Sequence, residues 1–257
     1  MKKLLFLILV LTFNLQLLTF NCAAFFIGFG SAGGAEAVII EGQRQGLIPK
    51  TPGEIAPKEP TVSDTFWQRR YDSGDDDMAT GVAVDSAGNV CVTGLVYNGS
   101  YYDLVVIKYD SSGNTVWQRM YDGFGDDDAG QGIAVDDTGN IYVTGYTYTP
   151  NKDFITIKYD STGNTVWYKV WDSGTGDNAF GIAVDNAGNA YVTGITSAAV
   201  NNNFITVKYD SSGNSVWDKV YDNGGVEFSR GIAVDDTGNV YVIGYNSNGA
   251  NNDFLIF

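Results

Sequence analysis

The feature that most constrains this chain is a repeat with a period of about fifty residues. Four tryptophans follow this spacing, at Trp67, Trp117, Trp167 and Trp217. Each stands in nearly the same sequence, which in the third copy reads Lys158-Tyr-Asp-Ser-Thr-Gly-Asn-Thr-Val-Trp167. Self-similarity at such a period is typical of propellers, solenoids and arrays. The repeat therefore indicates the architecture before any single residue is considered.

One copy of the repeat contains four short segments with the alternation or β-branched composition of strands. Two of its connections have the pattern Asp-x-x-Gly-Asn, in which Asp bonds back to the backbone and Gly adopts a left-handed conformation. In the copy that begins at Gly132 the strands are predicted at 133–136, 141–147, 154–159 and 165–170. We therefore predict an all-β fold, a β-propeller of four-stranded antiparallel blades with about four blades present.

Three repeated residue types have structural interpretations. The mid-strand glycines are expected to mark a bulge or crowding near a central axis; they are Gly94, Gly145, Gly194 and Gly244. The tryptophans are predicted to pack between neighbouring blades rather than to stack on a ligand. The lysines opposite them are expected to make cation–π contacts with their rings; they are Lys108, Lys158 and Lys208.

Composition excludes several classes of function. The chain has no histidine, which removes Ser-His-Asp and Cys-His catalysis and the usual zinc ligand sets. Its net charge of −15 argues against a nucleic-acid partner and against peripheral binding to anionic membranes. Cys91 occupies the place that Tyr142 has in the next copy, and we interpret it as a small packed strand residue.

The first residues have the pattern of an export segment. Lys2 and Lys3 precede an apolar run, so a cleaved signal peptide is predicted at 1–24, with an uncleaved anchor extending to about residue 37 as the alternative. A proline-containing linker is predicted at 38–63 and the propeller repeats at 64–257. The expected location is secreted, periplasmic or at the cell surface.

The two ends of the repeat region leave ring closure open. Residues 65–71 read as a fourth strand without its blade, and 253–257 as a third strand without a fourth. These two strands could complete one blade and close a four-bladed ring as a clasp. The alternative, which we favour, is that the chain is a truncated part of a larger propeller with an uncovered edge.

Sequence variation between copies predicts where a partner would bind. The Asp-x-x-Gly-Asn turns scarcely vary, whereas the connections between strands two and three and between blades differ in every copy. In an up-and-down blade these variable connections share one end, where recognition usually occurs in repeat proteins. The candidate contact residues are aromatic: Tyr101, Tyr102, Phe124, Tyr148, Phe180 and Phe228.

Two aspartate triplets also lie in the connections between blades. Residues 75–77 and 126–128 could supply oxygen ligands for calcium, but they lack the alternating spacing of an EF-hand loop. We interpret them as solvated acidic loops and assign no metal, cofactor or catalytic residue.

The repeat resembles that of a known family. The copy that begins at Gly132 contains Gly132-Ile-Ala-Val-Asp, then Gly139-Asn-Ile-Tyr-Val-Thr-Gly-Tyr146, then Lys158-Tyr-Asp with Gly163-Asn-Thr-Val-Trp167. This pattern is similar to the bacterial SBBP-type β-propeller repeat, and the resemblance covers about 66–257. It implies an exported bacterial protein. The family name implies seven blades, where this chain has four, and no catalytic residues can be carried over.

Three functions follow as hypotheses. The first is an exported, non-enzymatic binding or scaffold module that recognises a protein or glycan through the variable face. The second is a quinoprotein-like enzyme, because Tyr109-Asp-Ser-Ser-Gly-Asn-Thr-Val-Trp117 is similar to the tryptophan-docking motif of those propellers. The third is a purely structural surface or matrix protein.

Overall fold

The computed structural model describes residues 36–39, 67–197, 201–247 and 251–256. The predicted signal segment at 1–24 and the linker from residue 40 onward lie outside these described residues. The described residues form seventeen strands and belong to one compact unit. No helix among them is long and apolar enough to span a membrane.

The strands are grouped in meanders along the chain. β1 (Glu36–Ile39) pairs with β2 (Trp67–Arg70) as a two-stranded sheet. Three four-stranded antiparallel sheets and one three-stranded sheet follow, here called blades 1 to 4. Blade 1 comprises β3 (Asp77–Val84), β4 (Val90–Tyr97), β5 (Tyr102–Tyr109) and β6 (Thr115–Tyr121). Blade 2 comprises β7 (Ala129–Val135), β8 (Ile141–Tyr148), β9 (Lys152–Tyr159) and β10 (Thr165–Trp171). Blade 3 comprises β11 (Asp177–Val184), β12 (Ala190–Ser197), β13 (Asn202–Tyr209) and β14 (Ser215–Tyr221). Blade 4 comprises β15 (Val226–Val234), β16 (Val240–Ser247) and β17 (Asn252–Ile256).

The predicted tight turns are formed as the sequence indicates. In the turn that begins at Asp160, Gly163 has a φ of +85° and its N–H donates to the Asp160 carbonyl at 3.0 Å. The Asp160 carboxylate accepts from the backbone N–H groups of Thr162 and Asn164 at 2.9 and 2.8 Å. All seven such turns among the described residues have the same backbone hydrogen bonds, so each turn joins its two strands in the same way.

The mid-strand glycines face a bulge in the first strand of their own blade. In blade 2 the register between β7 and β8 shifts between Gly130 and Gly132, so that Gln131 is the extra residue. A Cβ on Gly145 would overlap the carbonyl oxygen of Ala129 in β7. The expected bulge is therefore confirmed, whereas crowding at a central axis is not its cause.

The first strands of consecutive blades lie side by side, which places the four sheets around a common centre. A Cβ on Gly132 would lie 3.4 Å from the Cα atom of Gly181 in the next blade, which shows how closely the strands approach. Buried side chains form clusters that join blade 1 to blade 2 and blade 2 to blade 3, and a further cluster lies within blade 1. Between blades 1 and 2 the contact includes Leu104, Val106, Ile155 and Ile157, each at most 1% exposed.

Three of the four repeated tryptophans join their strand to the following blade, as predicted, whereas the ring of Trp217 contacts Tyr191 of its own blade. Trp117 in blade 1 packs on Gly163 in blade 2, and its Nε1 donates to the Ser161 carbonyl at 3.2 Å. Trp67 and Trp167 repeat this contact with Gly113 and Gly213. Because both partners lie in a conserved turn, the fifty-residue repeat generates the contact between blades.

The expected lysine–tryptophan cation–π contacts are wrong. Lys158 and Lys208 lie over the rings of Tyr142 and Tyr191, at 4.9 and 4.7 Å from the centroids. The third lysine, Lys108, forms an ion pair instead. Two tryptophan rings have an arginine over them instead, Arg69 at 5.8 Å from the Trp67 centroid and Arg119 at 5.7 Å from the Trp117 centroid. Tyr142 and Trp167 both pair with Lys158, on the strands to either side of it, and the ammonium group lies over the tyrosine ring.

The strand clasp that would close a four-bladed ring, the alternative not favoured from the sequence, is not formed among the described residues. β2 pairs with β1, and β17 pairs with β16. No strand pairing joins β2 to β17 within the described ranges.

Candidate binding face

The order of the strands separates the conserved and variable connections. In blades 1 to 3 the two Asp-x-x-Gly-Asn turns lie at one end of the blade, as the linear strand order requires, and the one described turn of blade 4 joins β15 to β16. The connections between the second and third strands, and those between blades, lie at the opposite end. We call this end, with connections 97–102 and 122–128 as its first pair, the variable face.

Neighbouring variable connections are hydrogen-bonded to one another. The backbone N–H of Tyr102 donates to Asp127 Oδ1 at 3.0 Å, and the N–H of Asp128 donates to the Tyr102 carbonyl at 2.6 Å. The amide of Asn201 similarly donates to the Gly224 carbonyl at 3.4 Å, between blades 3 and 4. The variable face is therefore formed by connections from successive blades in contact.

Four of the predicted aromatic residues lie in or beside these connections. Tyr101 and Phe124 are the most exposed, at 42% and 68%. Tyr102 is half-buried and its ring packs edge-on against Tyr97 at 5.2 Å. Tyr148 is also half-buried and ends β8. Tyr101 and Phe124 thus provide the apolar area that a partner could contact.

Phe180 and Phe228 lie inside first strands. Phe180 is the extra residue of the bulge in β11, between Ala179 and Gly181. Phe228 in β15 stacks on Tyr245 of β16, with centroids 5.1 Å apart and planes at 22°. Both side chains are half-buried. The variable connections therefore do not contain these two rings.

Bulge residues were missed by sequence reasoning. Every first strand has one extra residue at the same place, and its identity differs in each blade: Thr80, Gln131, Phe180 and Arg230. Thr80 donates to the Gly130 carbonyl of the next blade at 2.6 Å, and Arg230 is exposed. The signal that could have identified this position was a residue that varies between copies directly before a glycine that does not.

Two clusters of three carboxylates lie at the variable face, between blades. The first triad is Asp103, Asp122 and Asp128, and the second triad is Asp153, Asp172 and Asp177. In each, one oxygen from every carboxylate lies within 4.8 Å of the others. The members come from the start of a third strand, the end of a fourth strand and the start of the next blade. Because these segments are distant in sequence, the triads were missed as well.

Burial raises the pKa of three triad members. It is the main cause for Asp103, Asp128 and Asp153, and nearby carboxylates add to it. Asp122 acts on both Asp103 and Asp128, and Asp172 acts on Asp153. Two members of each triad are buried and the third, Asp122 or Asp172, is exposed, so each site concentrates negative charge at the edge of the buried region.

The acidic triplets are not uniformly solvated. Asp75, Asp76 and Asp126 are exposed, in agreement with the sequence interpretation. Asp128 is only 1% exposed, so that interpretation is wrong for it. The last residue of the triplet turns inward because the N–H of Gly123 donates to its Oδ2 at 2.7 Å.

An apolar groove lies beside blade 1 but belongs to blade packing. It is lined by residues of β2, β4 and β5, including Trp67, Val92, Val105 and Tyr109. The corresponding face of blade 2 is covered by blade 1. We therefore attribute the groove to the surface on which a neighbouring blade packs.

Comparison with known proteins supports this architecture. The beta-propeller repeat family model, SBBP, matches residues 123–150 and 172–199. No curated protein matches the sequence. The chain is thus an all-β protein of the β-propeller class. It carries SBBP-type repeats at the two matched sites, as the resemblance predicted.

Several solved structures match the chain at low identity. A gluconolactonase from Xanthomonas campestris has 11% identity and a TM-score of 0.41, with 66% of this chain and 54% of that chain covered. A subtype N11 neuraminidase-like protein of a flat-faced bat isolate (H18N11) has 9% identity and a TM-score of 0.48, with 75% and 63% covered. An exo-1,5-alpha-L-arabinanase from a bovine ruminal metagenomic library has 11% identity and a TM-score of 0.38, with 68% and 71% covered. The chain spans about half to two thirds of the first two structures. These values carry no information about activity.

Proposed function

We propose that this protein is an exported, non-enzymatic β-propeller module that recognises a protein or glycan through the variable face. The observation that carries the proposal is the contact between connections 97–102 and 122–128, which brings the segments of Tyr101 and Phe124 together. Their exposure of 42% and 68% leaves both rings accessible to a partner. Aromatic rings on connections held by a rigid scaffold are a common basis of recognition.

The chemistry of the described residues favours binding over catalysis. The carboxylates with raised pKa are the ones that a hydrolase would use as acids, but Asp128 and Asp153 are each 1% exposed. A substrate could not reach either group without opening the contact between blades. The chain also lacks histidine. The tryptophan motif that suggested a quinoprotein forms the contact between blades, and this accounts for it without a cofactor.

The test is a binding screen of the full chain on a glycan array and in pull-downs from extracellular protein fractions. The variant Tyr101→Ala/Phe124→Ala should lose binding at least tenfold. Tyr168→Ala is the matched control, because this ring is 57% exposed but lies in β10, away from the connections. Binding that survives the double substitution would contradict the proposal. A blank array together with a blank pull-down would favour the structural alternative.

A further inference from the structure

Each triad contains a buried carboxylate oxygen that has no hydrogen-bond partner. In the first triad this atom is Oδ1 of Asp128, and in the second it is Oδ1 of Asp153. Both residues are 1% exposed. Their other oxygens are satisfied, by the Gly123 N–H and by the Thr149 hydroxyl. A buried carboxylate normally has all its acceptors paired, so the remaining oxygen points to a missing positive partner.

No basic side chain supplies that partner. The described residues form two ion pairs within 4 Å, Arg70 with Asp72 and Lys108 with Asp85. Neither includes a member of a triad. Three carboxylates whose oxygens lie within 4.8 Å of one another repel, and burial strengthens the repulsion.

We propose that each triad binds one divalent cation, calcium, between two blades. The three carboxylates supply oxygen ligands only, which is the donor set that hard cations prefer. They come from three separate segments, and water and backbone carbonyls can complete the six to eight ligands that calcium accepts. Calcium tolerates such irregular geometry better than magnesium, which requires a near-ideal octahedron.

The next junction provides an internal contrast. At the corresponding places it has Asn203, Asp222 and Glu227. The Asn246 amide donates to Glu227 Oε1 at 2.8 Å, whereas Oε2 is buried without a partner as in the triads, so this junction differs only in its charge and in the length of one acid. Compared with the triads, this junction has one negative charge fewer, because Asn203 replaces an aspartate, and one longer acid, because Glu227 replaces another. We therefore expect two calcium ions per chain, one at each triad.

A bound cation would also fix the variable face. Asp103 directly follows connection 97–102, whereas Asp122 and Asp128 lie within connection 122–128. Calcium bound at the first triad would link these two connections through the three carboxylates. The inference does not require that the proposed partner exists, and its test does not measure partner binding.

The first measurement is thermal unfolding of the full chain in EDTA and in increasing CaCl₂. Extracellular calcium modules have dissociation constants on the order of 0.1–1 mM. At about 100 times that constant we expect the Tm to rise by roughly 5–10 °C per site. Isothermal titration should give two ions per chain.

Isosteric substitutions separate the two sites. Asp128→Asn should remove one of the two ions, and Asp153→Asn should remove the other. Each variant should be more stable than the wild type in EDTA, because it relieves repulsion, and less stable in calcium. Asp126→Asn is the matched control, since it makes the same charge change at an exposed residue of the same connection.

A terbium titration provides a second readout that is independent of stability. Trp171 adjoins Asp172 and its ring lies 5.4 Å from that of Phe154, next to Asp153, so it should sensitise terbium at the second triad. Asp153→Asn should abolish this luminescence, whereas Asp126→Asn should keep it.

The proposal is overturned if 10 mM calcium (roughly tenfold above the weakest dissociation constant expected) neither changes the Tm nor gives a heat of binding in the isothermal titration. An equal response of Asp126→Asn and Asp128→Asn would also overturn it. An equal response to magnesium would overturn the assignment to calcium.

Discussion

The ammonium nitrogen of Lys108 lies 2.9 Å from Oδ2 of Asp85, and both side chains are almost completely buried. In blade 2 the same carboxylate oxygen, on Asp136, accepts from the hydroxyl of Tyr142 at 3.1 Å. Cys91 replaces this tyrosine in blade 1. The lysine therefore takes over the hydrogen bond that a tyrosine makes in the other blades.

Removing this lysine should destabilise blade 1 strongly. Lys108→Met leaves the Asp85 carboxylate buried without its cation, and we expect a loss of about 3 kcal/mol in the free energy of unfolding. Lys158→Met is the control, because Lys158 faces the Tyr142 ring and a carbonyl instead of a carboxylate. It should cost about 1 kcal/mol. Chemical denaturation measures both.

The double variant Cys91→Tyr/Lys108→Met should recover part of the loss, because the new hydroxyl can donate to Asp85. A double variant no more stable than Lys108→Met alone would contradict the interpretation that Lys108 replaces the tyrosine hydroxyl as the donor to Asp85.

Cys91 should be unreactive in the folded protein. It is completely buried, and burial raises its pKa to about 12, so almost no thiolate is present at neutral pH. In a Cys22→Ser background, alkylation should be slow in buffer and fast in denaturant. Rapid alkylation of the native protein would show that blade 1 opens readily.

The turn aspartates should make the protein sensitive to acid. Hydrogen bonds from Thr162 first, and then from Asn164, lower the pKa of Asp160 to about 2 from an ordinary value of 3.8. A lowered pKa stabilises the fold above the unfolded-state pKa, and this contribution disappears as the pH falls from about 4 through 2.

Asp160→Asn cannot titrate, so its stability difference from the wild type should shrink between pH 5 and pH 2. Thr162→Val keeps the carboxylate but removes its main hydrogen bond, and should reduce the pH dependence of this residue. A difference between the wild type and Asp160→Asn that does not change with pH would count against this assignment.

The tryptophans should differ in their contribution to stability. Trp167 is 9% exposed, packs on Gly213 and donates to the Ser211 carbonyl at 3.1 Å. Trp217 is half-buried, and its ring contact is with Tyr191 of its own blade. We expect Trp167→Ala to cost about 4 kcal/mol and Trp217→Ala about 2 kcal/mol. Similar losses for the two variants would show that packing on the next blade adds little.

The fold could be predicted from the sequence because its signals are local and repeated. The turn from Asp160 to Asn164 carries its own hydrogen-bond acceptor and glycine, so the strand boundaries follow from it. Trp117 and Gly163 recur at fixed spacing, which made packing between blades a sound inference. The lysine contacts were wrong because the preferred partner of Lys158, Tyr142, lies on a different strand from the tryptophan.

The site was less predictable because its residues are brought together only by folding. Asp103, Asp122 and Asp128 are separated along the chain, and neighbouring carboxylates such as Asp126 face solvent. Only the contact between blades distinguishes the buried acids from the exposed ones. The bulge residue Gln131 was hidden for a similar reason, since a bulge is defined by the pairing of two strands.

The stacking of successive blades is tested most directly by two glycine substitutions. Gly163 and Gly238 have nearly the same φ, +85° and +84°, so alanine strains the backbone equally at both. A Cβ on Gly163 would lie 2.8 Å from Cδ2 of Trp117, whereas Gly238 has nothing within 4 Å. We predict that Gly238→Ala costs about 1 kcal/mol and Gly163→Ala about 3 kcal/mol in the free energy of unfolding. Equal costs for the two variants would contradict the packing of Trp117 on the next blade.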